Sequence, residues 1–178
     1  RGAGYYYGEY SSDQFVISSL PHLVSVAELQ AADVKPTSPS SLLIESFEGD
    51  WQKQWFTYNP KEWGRSTHKV YTHEWKAPTG ARLALEVRAD QPNKLAIALD
   101  KSAAEVDIKG GKEWQAASLS SSDFLNASKD PLKDWAGIKE LSFSAKESLS
   151  EKTSKREVGG KWQGAEPQFR NLRWVVGD

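Results

Sequence analysis

Alternating apolar and polar residues run through most of the chain beyond residue 40. The clearest example is 81–89, where Leu83, Leu85 and Val87 share one face. This period of two is typical of a strand with one buried face. Similar β-prone runs, separated by Gly, Asn, Pro and Ser turns, predict further strands at 41–49, 55–59, 68–75, 94–100, 104–108, 113–119, 137–145 and 169–176.

Helical periodicity is weak throughout the chain. The best short helix is 121–127, which a Ser/Asp cap opens. Residues 146–168 are polar, of mixed charge and rich in glycine, and so they are interpreted as a solvated surface loop. Many short strands with turns between them are typical of an all-β fold. We therefore predict a β-sandwich with an irregular N-terminal extension.

The N-terminal segment differs in composition from the rest. Its first residues, RGAGYYYGEYSSDQ, are rich in Gly, Tyr and Ser and lack any period. Residues 35–41, KPTSPSS, combine two prolines with small polar residues, which is typical of a linker. These features predict two parts, an extension or the tail of a preceding domain at 1–40 and a sandwich domain at 41–178.

Composition and charge exclude several functional classes. The 178 residues contain 23 Lys and Arg against 24 Asp and Glu, and neither Cys nor Met. The chain therefore has no disulfide, no thiolate metal site and no cysteine nucleophile. A net charge of -1 gives no overall attraction to nucleic acid or anionic membranes. No apolar run approaches the ~18 residues of a membrane span. From the net charge and the lack of such a run, we expect neither nucleic acid nor a membrane as partner.

The sequence offers little that could anchor catalysis. His68 and His73 lie five positions apart in a predicted strand, which would point them to opposite faces. The G-x-S-x-G elbow of acyl-transfer enzymes is missing. Glu45 and Glu48 flank Phe47 at the end of the first predicted strand. They are either exposed strand-end acids or part of a structural Ca²⁺ site, and the sequence leaves both open.

Aromatic residues carry the strongest functional indication. Seven of them fall within 25 residues among polar side chains: Trp51, Trp55, Phe56, Tyr58, Trp63, Tyr71 and Trp75. Flat rings beside amides and charges suit a sugar, because the rings stack on C–H faces while polar groups bind hydroxyls. A sandwich also needs large inward residues, so we expect about half of the cluster in the core. The candidate ligand-binding residues are Trp55, Tyr58, Trp63 and Trp75 for stacking, with Asn59 and Arg65 in support.

Residues 42–178 resemble the β-jelly-roll carbohydrate-binding modules and the related galactose-binding-like and CIA30-like accessory domains. The matching segments are LLIESFEGD, ARLALEVRADQPNKLAIALD, GGKEWQAASLSSSDFLNASKDPLKDWAGIKELSF and FRNLRWVV. The third segment follows the pattern W-x-x-x-x-L-x-x-x-D-F, then L-x-x-W-x-G-I-x-x-L-x-F. The resemblance implies a jelly-roll type of sandwich in which Trp114, Phe124, Trp135 and Phe143 are buried.

The resemblance also implies a cofactor, a parent enzyme and a location outside the cytoplasm. In such domains a structural Ca²⁺ often bridges the first and last strands, and the matching positions here are Glu45 or Glu48 and Asn171. The domain would be a non-catalytic accessory to a carbohydrate-active enzyme, secreted or periplasmic. Residues 1–40 would then end a preceding catalytic domain, which is one expected partner.

The sequence therefore predicts a non-catalytic module that binds a polysaccharide or oligosaccharide by aromatic stacking and hydrogen bonds. Two alternatives of other classes stay open. In one, the sandwich is a structural C-terminal domain of a larger hydrolase or esterase. In the other, it is a protein–protein assembly domain.

Overall fold

The computed structural model describes residues 40–57 and 63–177. Strands account for most of the regular structure in these two ranges, and the helical elements there are short 3₁₀ turns at Trp51–Gln54, His73–Trp75 and Ser121–Asp123. The strands are β1 (Ser40–Glu45), β2 (Phe56–Thr57), β3 (Gly64–Thr67), β4 (Arg82–Arg88), β5 (Asn93–Leu99), β6 (Ser102–Ile108), β7 (Gln115–Leu119), β8 (Leu141–Ser144), β9 (Lys146–Ser150), β10 (Lys155–Gly159) and β11 (Gln168–Val176).

Nine of these strands form two antiparallel sheets that pack face to face, and β9 and β10 form a separate two-stranded sheet. One sheet has the order β1-β11-β4-β7 and the other has the order β2-β3-β8-β5-β6. Leu83, Leu85 and Val87 of β4 are fully buried, as the period of two predicts. They meet Leu95 and Ile97 of the other sheet in one hydrophobic core. The prediction of an all-β sandwich is confirmed.

Aromatic rings join the two sheets across the core. Phe143 of β8 stacks on Phe169 of β11 with ring centroids 4.5 Å apart. Trp55 lies nearly parallel to Phe143 on its other side, at 5.2 Å and 11°. Phe47 also contacts Trp55, Phe143 and Phe169. Such contacts stabilise a core beyond the apolar area that they bury.

The segment interpreted as a surface loop, 146–168, begins with a hairpin, so that interpretation is wrong for 146–159. Strands β9 and β10 pair with each other and cover the outer face of the five-stranded sheet. Alanines occupy that face, and this leaves space for Leu149 and Val158 of the hairpin. Gly159 has a φ of +80° and lies so near the backbone of Ala145 that a Cβ would clash. The sequence did not indicate this hairpin, because only one of its sides is buried and most of its other side chains are polar.

Other boundaries differ from the expected ones. Residues 68–75 were expected to form a strand, but the strand is β3 at Gly64–Thr67 and the later residues form a loop with a 3₁₀ turn. The expected short helix at 121–127 is a single 3₁₀ turn, which a capping box of Ser120 and Asp123 opens. The predicted N-terminal extension lies outside the described residues except for Ser40. Within those residues no helix is long and apolar enough to cross a membrane.

Replacing Phe143 by alanine tests the aromatic contact between the sheets. We expect the free energy of unfolding to fall by about 3–5 kcal/mol, because the cavity cannot close fully. Phe56 is 61% exposed on the edge strand β2 and provides the matched control. Phe56→Ala should change stability by less than about 0.5 kcal/mol. Equal losses in denaturant titrations of the two variants would contradict this description of the core.

Glu147 on β9 makes the docking of the hairpin sensitive to pH. Burial raises the pKa of Glu147, although a hydrogen bond from Ser142 Oγ to its Oε2 (3.2 Å) opposes this effect. A carboxyl with a higher pKa in the folded chain stabilises that state while protonated, and this contribution disappears as pH rises through the folded pKa. Relative to the native protein, Glu147→Gln should therefore become more stable as the pH rises from about 4, the ordinary pKa of a glutamate, through the raised pKa of Glu147.

Glu151→Gln, at an exposed position in the hairpin turn, is the control for this pH dependence. Unfolding curves for the three proteins across that pH range provide the measurement. If Glu147→Gln and the native protein lose stability in parallel with pH, Glu147 does not carry this dependence.

Candidate binding site

A cavity of about 560 Å³ opens at the end of the sandwich where β4 begins and β11 ends. We call it the end cavity. Its walls come from the loop between β3 and β4 and from the segment before β8. The aromatic residues around it are Tyr71, Trp75, Trp135 and Trp174. This volume lies in the range of ordinary small-molecule sites.

The floor of the end cavity is part of the hydrophobic core. Trp174 of β11 is buried, and its indole N–H donates to the backbone oxygen of Glu74 (3.0 Å). Leu83 and Leu99 line the cavity beside it, at the start of β4 and the end of β5. The end cavity therefore has a floor that rigid strands hold in place.

Trp135 forms a fixed wall of the end cavity. Its indole N–H donates to the backbone oxygen of Ala81 (2.9 Å), and its ring centroid lies 5.0 Å from that of Trp174. Phe124 packs edge-on against it at 5.7 Å. We expected Trp135 to be buried, but it is only partly buried, because the segment before β8 leaves the cavity side open.

The loop between β3 and β4 supplies the opposite wall. A 3₁₀ turn at His73–Trp75 places Trp75 against the core while its ring still lines the end cavity. Tyr71 is 78% exposed and stands at the rim. Polar side chains on the lining can hydrogen-bond a ligand: Thr72, Lys76, Thr79 and Asp134.

The structure corrects two of the expected stacking residues. Trp55 and Trp63 are only 3% and 6% exposed, so neither ring offers a face to a sugar. Trp55 fills the space beside Phe143, and Trp63 packs against Trp162 and Phe169. The indole N–H of Trp63 donates to Glu166 Oε2 (2.7 Å). Of the expected stacking residues that the structure describes, only Trp75 lines the end cavity.

Arg65 also has a role inside the fold. Its guanidinium pairs with Glu166, which also accepts a hydrogen bond from Trp63 Nε1 (2.7 Å), and it lies over the ring of Trp51 (5.1 Å). Although burial alone raises its pKa, these hydrogen bonds from Arg65 and Trp63 hold the pKa of Glu166 below its usual range. Arg65 therefore ties β3 to the segment before β11 and is not a free ligand for a sugar.

The other expected site residues lie elsewhere. Tyr58 and Asn59 lie outside the described residues, so their part in binding stays a prediction. Phe124 and Phe143 are fully buried, as expected. Trp114 was also expected in the core, but it is half-buried on the outer face of the four-stranded sheet, where Arg88 and Arg170 contact its ring.

Among the residues expected to bind Ca²⁺, the pairing of β1 with β11 places Glu45 opposite Leu172, the residue after Asn171. Glu45 Oε1 accepts the backbone N–H of Phe47 (2.9 Å), Glu48 is exposed, and Asn171 Nδ2 donates to Glu86 Oε2 (3.3 Å). Asn171 has a φ of +56° at a bulge in β11, a conformation that Asn tolerates well.

A Ca²⁺ ion takes about six to eight oxygen ligands. In the part of the chain that the structure describes, no group of three or more His, Cys, Asp or Glu side chains is placed to hold a metal. Asn side chains and backbone carbonyls can also be ligands of Ca²⁺, and its binding by Glu45 or Glu48 and Asn171 stays a prediction.

Sequence reasoning missed most of the end cavity. Tyr71 was counted in the aromatic cluster but was not chosen as a ligand, and Trp135 was assigned to the core. The resemblance covers the segment around Asp134, but Asp134 was not chosen as a ligand. The useful indication was that polar residues surround Trp135 and that Gly137 follows it, which is typical of an exposed turn.

Replacing Glu166 by glutamine tests the role of Arg65 in the fold. We expect a loss of about 1 kcal/mol at neutral pH, a modest value because Glu166 is 37% exposed. The loss should shrink on acidification, because a carboxyl with a lowered pKa stops stabilising the fold as the pH falls through that pKa. Glu157→Gln, in the exposed pair with Lys146, should change stability little. Indistinguishable unfolding curves for the two variants would refute the structural role.

Comparison with known proteins gives one match of low similarity. No family model matches the chain, and no curated protein matches it. Among solved structures, the chain is similar to a family 11 carbohydrate-binding module from Clostridium thermocellum, in complex with a β-1,3-1,4-mixed-linked tetrasaccharide. The identity is 10% and the TM-score 0.41, over 80% of this chain and 98% of that chain. At this level the likeness assigns neither a family nor a ligand to the chain.

Proposed function

We propose that the sandwich is a non-catalytic carbohydrate-binding module whose end cavity holds part of a polysaccharide or oligosaccharide. The observation that carries this proposal is the group of Tyr71, Trp75 and Trp135 around a cavity of about 560 Å³. One ring is exposed and two are partly buried, so all three combine contact with the fold and access for a ligand.

The lining has the chemistry that a sugar needs. A pyranose presents C–H groups that pack on an aromatic face, and hydroxyls that must keep hydrogen bonds once they leave water. Trp135 supplies a ring that its bond to Ala81 already orients, so little side-chain entropy is lost on binding. Asp134 and Thr72 supply oxygen acceptors at the lining, and Lys76 supplies a donor.

The same lining supports binding without hydrolysis. Glycoside hydrolysis usually requires two carboxyl groups on either side of the scissile bond. Among the described residues that line the end cavity, Asp134 is the one carboxylate. Ca²⁺, a catalytic domain in the parent chain and a secreted or periplasmic location are proposals that rest on the sequence resemblance.

One observation favours a second candidate function, in which the sandwich packs on another protein domain. In the sheet order, β1 is an edge strand, and its Leu42 and Leu43 are 50% and 55% exposed. An exposed apolar edge is suited to pairing with another chain or domain. This arrangement agrees with the structural and assembly alternatives that the sequence leaves open.

Affinity gel electrophoresis in neutral polysaccharides tests the proposed function. A gel that contains mixed-linked β-glucan, xylan or mannan should retard the native protein. Trp75→Ala and Tyr71→Ala should each weaken binding about tenfold or more, because each removes a stacking face. Trp135→Ala is a less clean test, because it also removes contacts with Trp174.

Phe56→Ala is the control, since it removes an exposed ring that is not part of the end-cavity lining. Unfolding curves must show that the variants stay folded. Repeating the gels with Ca²⁺ and with a chelator tests whether the ion contributes. The proposal is wrong if none of the polymers retards the native protein, or if Phe56→Ala weakens binding as much as Trp75→Ala.

A further inference from the structure

We propose that the outer face of the four-stranded sheet is a second binding surface, for the carboxylate groups of a linear acidic polysaccharide. The surface is formed by Arg82 and Arg88 of β4 and Arg170 and Arg173 of β11, together with Trp114, and we call it the arginine face. It differs from the end cavity in position and in chemistry. Its assignment does not depend on the function proposed for that cavity.

The strand register places these arginines on one surface. Leu83, Leu85 and Val87 of β4 are buried in the core, so the alternate residues of β4 point outward. Arg173 pairs with Ala84 and Arg170 pairs with Glu86, which puts both on the same outer face. Glu86 is the one acidic side chain of β4 on this face. Glu86 pairs with Arg170 (2.6 Å) and with Arg173 (3.8 Å), so four arginines with one carboxylate leave a positive surface on a chain whose net charge is -1.

Trp114 holds two of the guanidinium groups in place. The Cζ atoms of Arg88 and Arg170 lie 4.5 Å and 4.2 Å from the centroid of its ring. A cation over an indole ring is attracted by the π-electron density, and the contact limits side-chain motion. Both Cζ atoms therefore lie within about 9 Å of each other, with the indole ring as their common contact.

Hydrogen bonds fix the same two arginines further. Arg88 Nε donates to Gln168 Oε1, and Arg170 Nε donates to Glu86 Oε1, both at 2.6 Å. These bonds use the Nε–H, whereas a guanidinium has further N–H donors on its two terminal nitrogens. Arg170 is 45% exposed despite these contacts. Two oriented guanidinium groups at the surface suit a carboxylate, which they can bind through paired N–H donors.

The dimensions suit an extended chain of charges. Arg82 and Arg88 lie at opposite ends of β4, which is a distance of about 20 Å at the usual rise of a strand. Beyond Arg88 and Trp114, a groove of about 330 Å³ continues to Trp51 and to Glu166, whose charge Arg65 pairs with. A linear polymer can therefore contact several positive groups together, and this raises the total affinity.

An acidic polysaccharide fits the arginine face better than a nucleic acid does. The hydrogen bond from Arg170 holds the pKa of Glu86 below its usual range, so Glu86 stays ionised within the face. Duplex DNA carries one phosphate per about 1.7 Å of its axis and would place several charges near Glu86, whereas a uronic acid polymer carries one carboxylate per sugar. The ring of Trp114 already contacts two guanidinium groups, so the face lacks the free aromatic surfaces on which bases stack.

Polygalacturonate is the probe for this proposal, in affinity gels at low and high salt. It should retard the native protein at low salt, and added salt should weaken the effect. The double variant Arg88→Gln/Arg170→Gln should bind at least about tenfold more weakly, because it loses two charge-assisted contacts. Since Arg170 also pairs with Glu86, the single variant Arg88→Gln tests the proposal without disturbing that pair.

The matched control is Lys101→Gln/Lys152→Gln, which removes the same charge from exposed turns of the other sheet and the hairpin. It should bind polygalacturonate like the native protein. No retardation at low salt, or an equal loss in the lysine control, would overturn the proposal. Stronger retardation by single-stranded DNA that Arg88→Gln abolishes would assign the face to nucleic acid. In each case the neutral-polymer gels with Trp75→Ala report separately on the end cavity.

Discussion

The stacked rings of Phe143 and Phe169 are the contact on which the rest of the sandwich depends. They join β8 of one sheet to β11 of the other, with Trp55 stacked on the far side of Phe143. This cluster fills the end of the sandwich where β11 begins. The large rings of this cluster are therefore buried there. At the opposite end of the sandwich, loops surround the cavity between Trp75 and Trp135. The aromatic residues that join the two sheets and those that line the end cavity therefore lie in different parts of the sandwich.

The sandwich has three surfaces with different chemistry. The hairpin of β9 and β10 covers the outer face of the five-stranded sheet, because alanines there leave space for Leu149 and Val158. The outer face of the other sheet stays open and carries arginines around Trp114. The end cavity is apolar with a polar rim. Under the two proposals, a neutral sugar occupies the cavity and a carboxylate binds the arginines.

The sequence predicts those elements whose pattern is local. The alternation in 81–89 gave β4 correctly, because burial on one face leaves a period of two. The local pattern could not show that Trp63 is buried. The group that accepts the hydrogen bond of the Trp63 indole N–H is Glu166, which is 103 residues away in the chain. The hairpin at 146–159 was missed because most of its side chains remain polar. Tertiary partners, which one sequence does not reveal, decide which aromatic rings form a site.

Fluorine NMR on protein labelled with 5-fluorotryptophan is the most direct test of the central claim, that some tryptophans hold the fold and others face a ligand. Tryptophan-to-phenylalanine variants assign the resonances, and a neutral oligosaccharide from a retarding polymer is then titrated in. We expect the resonances of Trp75 and Trp135 to shift with one saturating curve, while those of Trp55 and Trp63 stay in place. Shifts confined to Trp55 or Trp63, or no shift at saturation, would contradict the account.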